Sequence, residues 1–125
     1  MEKIRTQLAD NGFTFDQIAE IEAGAQAGID ISQYADRKLL AIQMREIRYG
    51  MEHMVDVAQY KNPYYSHEQM REIRLGLEEG LDVSYFNSLM YTAADMERRR
   101  LALEEHPGLA ACGKSKCHFI RKCTA

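Results

Sequence analysis

The chain has 125 residues, 46% of them hydrophobic and 28% charged, with a net charge of -3. That length fits one domain, and the composition is that of an ordinary soluble protein with enough apolar residues for a core. No run approaches the roughly eighteen apolar residues that span a bilayer, the start Met1-Glu2-Lys3-Ile4-Arg5 is not an apolar signal segment, and three cysteines, all late in the chain, make no secreted disulfide framework; a cytoplasmic location is the expectation.

Residues 1–13 read as the second half of a repeating unit, because Leu8 stands 26 residues before Tyr34, and Tyr60 and Phe86 follow at the same interval. The first full unit opens at Thr14. Thr14 with Gln17 forms a helix-starting capping box, as does Ser66 with Gln69; Thr92 with Asp95 is a weaker version, and Leu40 leaves the second unit without that marker. Behind each start comes one phrase: Gln17-Ile18-Ala19-Glu20-Ile21-Glu22-Ala23-Gly24, then Gln43-Met44-Arg45-Glu46-Ile47-Arg48-Tyr49-Gly50, then Gln69-Met70-Arg71-Glu72-Ile73-Arg74-Leu75-Gly76, and a worn copy at 95–102. A fixed period of this size marks repeated helical units that bury their apolar faces against their neighbours.

Each phrase predicts a helix of about thirteen residues, with Met70, Ile73 and Leu77 on one stripe of the third. Gly24, Gly50 and Gly76 recur at one phase, with Ala102 in the fourth unit; a glycine inside a helix costs about 1 kcal/mol, so close packing of neighbouring helices is the expected reason. Gly28 and Gly80 suit the left-handed residue that ends a helix, a place taken by Met54 and His106 in the other units. Asp30, Asp56 and Asp82 are placed to cap a short second helix in each unit. In the fourth unit Arg99 replaces the seam isoleucines Ile21, Ile47 and Ile73, as in a terminal, more polar repeat, and His106-Pro107-Gly108 stops the pattern. The expected fold class is therefore all-α: an α-solenoid of about four long-helix/short-helix units over 1–106, with a basic, cysteine-bearing tail at 107–125.

Charge is unevenly spread: residues 1–97 carry a balance of -8 and residues 98–125 one of +5. Arg48/Glu52, Arg74/Glu78 and Arg100/Glu104 sit at i,i+4 spacing and read as solvated helix pairs. Opposite the seam, Tyr49, Leu75 and Leu101 would align into a ridge flanked by Arg45 and Arg71. Arg45, Tyr49, Arg71 and Leu75 are the candidate partner-binding residues, against scattered exposure or a homo-oligomer contact as the other readings. In the tail, Cys112, Cys117, His118 and Cys123 could hold a structural zinc, although the spacing is not a Cys-x2-Cys knuckle and unliganded thiols are the other reading. Lys114, Lys116, Arg121 and Lys122 could touch phosphate, or could be solvated. The chain carries no phosphate loop, nucleophile elbow or His-Glu-x-x-His, so no catalytic residues and no cofactor are assigned.

The unit Gln-Met-Arg-Glu-Ile-Arg-Leu-Gly-Leu-Glu-Glu-Gly-Leu-Asp-Val-Ser-Tyr at 69–85 resembles short helical repeats in proteins from mobile elements of gut Firmicutes, over roughly 14–105. The resemblance implies repeat architecture and no catalytic residues. It implies a regulator of a mobile element or an inhibitor of host defence, in the manner of anti-CRISPR proteins. The sequence reading is thus a non-enzymatic protein–protein interaction module. The alternative is a nucleic-acid-associated regulator that uses the basic C-terminal segment.

Overall fold

The computed structural model describes residues 2–106. They form an all-α fold of five helices: α1 (Glu2–Asp10), α2 (Phe15–Gln26), α3 (Ala41–Glu52), α4 (His67–Glu78) and α5 (Ala93–Glu105). Short 3₁₀ turns at Ile31–Gln33, Val57–Gln59 and Val83–Tyr85 follow α2, α3 and α4. Each helix packs on the next in chain order, α1 on α2 through α4 on α5. The zinc candidates Cys112, Cys117, His118 and Cys123 and the basic residues of 107–125 lie outside the described residues. No helix among the described residues is long and apolar enough to cross a membrane.

The long helices begin where the capping boxes place them. Thr14 Oγ1 accepts from the Gln17 amide at 3.2 Å, and Gln17 Oε1 accepts from the Thr14 amide at 2.8 Å. Ser66 with Gln69 and Thr92 with Asp95 repeat this exchange. Leu40 has no oxygen to offer, yet Gln43 Oε1 still accepts from its amide at 2.7 Å, so α3 keeps half of the box. The Asp caps also form: Asp30, Asp56 and Asp82 each accept from the amide two residues on, at 3.1–3.2 Å.

Residues 1–13 depart from the repeat. Where Gly28 and Asp30 break the chain in the next unit, this segment has Glu2 and Ile4, so neither a left-handed stop nor an Asp cap interrupts it, and it winds into the nine-residue α1. His106 also departs, at φ -135 rather than left-handed. Gly28, Gly80 and Met54 do take the left-handed conformation, at φ +77, +75 and +60. Met54 is 92% exposed, so its side chain gains little from packing while its backbone is strained. Met54→Gly is expected to raise unfolding stability by about 1 kcal/mol, the cost of a left-handed L-residue. An unchanged or lower urea midpoint would count against that strain.

The repeated glycines make room for an aromatic ring of their own unit, and not for a neighbouring long helix. A Cβ on Gly24 would overlap the Tyr34 hydroxyl and one on Gly50 the Tyr60 hydroxyl, while one on Gly76 would lie 2.7 Å from Phe86 Cζ. These rings are fully buried, and the Tyr34 and Tyr60 hydroxyls donate to the carbonyls of Glu20 and Glu46 at 2.8 and 2.6 Å. No described 3₁₀ turn follows α5, and there Ala102 stands in the glycine's place. Around the rings, Ile21, Met44, Ile47, Met70, Ile73 and Met96 complete a core with no exposed surface, and Leu77 joins it half-buried.

Burial pushes the Tyr34 hydroxyl up to about 12, and raises Tyr60 as well. A folded-state value above the unfolded one means the contribution is full below about pH 10 and is lost as pH rises through the folded value. Urea midpoints are therefore expected to fall steeply from about pH 10 upward, and less steeply in a Tyr34→Phe/Tyr60→Phe variant. Equal slopes in both proteins would contradict this.

Candidate functional site

The surface available for recognition is set by what the units use to hold one another. Two polar devices on the long helices do this, and both recur with the repeat; Lys61 and Asn87 add a hydrogen bond each, to Gln33 and Gln59 of the preceding unit. The first is the capping-box glutamine. While its oxygen caps its own helix, Gln17 Nε2 donates to the Leu39 carbonyl at 2.7 Å, Gln43 Nε2 to the Tyr65 carbonyl at 2.6 Å, and Gln69 Nε2 to the Tyr91 carbonyl at 2.7 Å. One side chain thus starts a helix and clamps the next unit's loop.

The second is a ladder of ion pairs. Arg48 Nη2 donates to Glu20 at 3.1 Å, Arg74 Nε to Glu46 at 3.2 Å and Arg100 Nε to Glu72 at 2.9 Å, each across to the preceding long helix. The i,i+4 partners Glu52, Glu78 and Glu104 close the other side of each guanidinium. These arginines are not the solvated helix pairs that their spacing suggests: the Arg74 and Glu46 side chains are each only 10% exposed. Burial works against the charge on Arg74, but Glu78 and Glu46 more than offset it and hold its pKa above the ordinary arginine value. The signal was in the sequence as two periodic columns, Glu20/Glu46/Glu72 and Arg48/Arg74/Arg100, offset by 28 residues. Reading each pair within one helix hid it.

With these groups committed, the outward face of α3 and α4 carries Arg45, Tyr49, Arg71 and Leu75. Arg45 is exposed, and its Nε donates to Glu20 Oε1 at 2.9 Å, so Glu20 holds both Arg45 and Arg48. Tyr49 is half-buried, its ring flanked by the Arg48 guanidinium at 4.9 Å and the Arg74 guanidinium at 5.4 Å. Leu75 is half-buried and Leu101 partly exposed. Arg71 is exposed and makes no hydrogen bond or ion pair with a described residue. Arg45 with Tyr49, and Arg71 with Leu75, are i,i+4 neighbours, so each pair shares one helix face.

Repeat-based reading missed Tyr64 and Met90, which are 82% and 89% exposed in the turns leading into α4 and α5. Their phase holds Gly12 and Lys38 in the earlier units, so no periodic identity marked it. Among the described residues no group of three His, Cys, Asp or Glu side chains could hold a metal ion. No protein-family model, curated protein or solved structure matches this chain.

Proposed function

We propose that the chain is a non-enzymatic protein-recognition module, an α-solenoid of stacked units that presents the outward face of its long helices to another protein. The observation that carries this is Arg71. In α3 and α4 the guanidiniums of Arg45, Arg48 and Arg74 are each held by carboxylates, while Arg71 is exposed, unpaired among the described residues and next to half-buried Leu75. Arg and Tyr are types enriched at binding hot spots, and the latched units behind them keep the face rigid, which lowers the entropy lost on binding. The resemblance to mobile-element repeats supports a regulator, or an inhibitor of a host-defence protein, as the setting.

The partner would be captured from cells of the native host, identified by mass spectrometry and its affinity measured with purified protein. Arg71→Glu is expected to weaken that affinity about tenfold or more, with melting unchanged, because the exposed Arg71 side chain makes no hydrogen bond or ion pair with a described residue. Unchanged affinity would overturn this face as the contact surface. Strongly salt-dependent binding of DNA or RNA, with no protein captured, would instead favour the nucleic-acid reading.

A further inference from the structure

The fourth unit lacks the clamp glutamine, the ladder glutamate and the seam isoleucine of the earlier units. Asp95 stands where Gln17, Gln43 and Gln69 clamp the next loop, Arg98 where the ladder needs a glutamate, and Arg99 where the seam needs an isoleucine. At this end lies a cavity of about 400 Å³ lined by Tyr85, Tyr91, Asp95, Arg98, Arg99 and Ala102. The Arg99 guanidinium sits over both rings, 4.8 Å from the centre of Tyr85 and 4.2 Å from that of Tyr91, and donates to the Tyr85 carbonyl at 3.3 Å.

The other half-buried or buried guanidiniums of the long helices, on Arg48, Arg74 and Arg100, each meet at least two carboxylates. Arg99 meets none among the described residues. The one carboxylate among the described residues of the cavity wall, Asp95, is taken on one oxygen by Arg98 and on the other by the Thr92 amide. Among the described residues the wall therefore carries one uncompensated positive charge, held over two aromatic rings, with guanidinium N–H groups left to donate.

The geometry points to a ligand site for a singly charged carboxylate carried on a flat or apolar body. A guanidinium fork matches a carboxylate bidentately, and the tyrosine rings offer an apolar wall to the rest of the ligand. One negative charge balances the wall, whereas a phosphate dianion would also face Asp95. This site lies along α5 between Asp95 and Ala102, includes none of the Arg71 face, and does not depend on the protein-recognition reading.

The test is a titration of the full chain followed by amide and arginine side-chain NMR, with benzoate, N-acetylphenylalanine, inorganic phosphate and chloride at matched ionic strength. Benzoate or N-acetylphenylalanine should give saturable shifts confined to the residues lining the cavity, half-complete at about 1 mM or below, the range for ligands this small. Tighter benzoate would mark a free planar acid as the natural ligand; tighter N-acetylphenylalanine would mark the C-terminus of a polypeptide. Arg99→Ile restores the residue the other units carry, should fold, and should abolish the shifts. Arg99→Lys keeps the charge without the fork and should weaken binding about tenfold. Absence of saturation by either carboxylate, equal effects of chloride, or shifts that persist in Arg99→Ile would each overturn the site.

Discussion

Arg74→Met is expected to lower unfolding stability by about 3 kcal/mol, because it strands a buried carboxylate. Glu46 receives Arg74 across the α3–α4 interface at 3.2 Å, and both side chains are almost wholly covered. Methionine keeps much of the apolar stem but supplies no donor, so the Glu46 charge stays buried without its partner. Glu78 also loses a bond but is more exposed and can turn to water. Combining Arg74→Met with Glu46→Leu should recover most of the loss, since a buried ion pair contributes little over well-packed apolar residues. A urea midpoint for Arg74→Met within experimental error of the parent would mean that the pair is solvated and the interface is held by the seam alone.

Gly50→Leu should cost about 2–3 kcal/mol, near the upper end of overpacking effects. Any side chain at position 50 overlaps the Tyr60 hydroxyl and comes within 2.8 Å of Val57 Cγ1, the residues that close and open the 3₁₀ turn of the same unit. Moving the ring also breaks its 2.6 Å hydrogen bond to the Glu46 carbonyl. Helix propensity runs the other way by slightly under about 1 kcal/mol, so the clash must outweigh it. Gly80→Leu separates crowding from backbone strain: nothing lies within 4 Å of a Cβ there, but φ is +75, so the cost should be only about 1–2 kcal/mol. Equal losses at the two sites would contradict the close ring contact, as would a Gly50→Leu variant as stable as the parent.

Much of this molecule was legible because its physics repeats. The capping boxes, the Asp caps, the left-handed Gly28, Gly80 and Met54 and the seam isoleucines are local or strictly periodic, and the all-α fold follows from them. What sequence reading lost were relations between units. Arg48, Arg74 and Arg100 have partners at both i+4 and i-28, and only packed helices reveal the second. The glutamines hid a second role for the same reason: a capping box accounts for the oxygen of Gln43 and says nothing of its nitrogen. From sequence the glycine column suggests helix against helix, since a period cannot say whether a long helix or a turn fills the gap. The helix α1 was missed because an alignment to Tyr34 carries the shape of that unit along with its phase, while the residues that make the shape, Gly28 and Asp30, have no counterpart at 2 and 4. Of the candidate face, the sequence showed where Arg45, Tyr49, Arg71 and Leu75 lie on their helices. It could not show that Glu20 holds Arg45 and that Arg71 is left unpaired among the described residues, because that depends on how Glu46 divides between Arg71 and Arg74.

That consecutive units are latched through Glu–Arg pairs crossing between long helices is tested most directly by a double-mutant cycle on Glu46 and Arg74. Stabilities of the parent, Glu46→Leu, Arg74→Met and the double variant would be measured by urea unfolding. The latch predicts that the double variant is more stable than the sum of the single losses allows, by at least about 1 kcal/mol. Losses that simply add would show that the two side chains do not act on each other, and would contradict the latch.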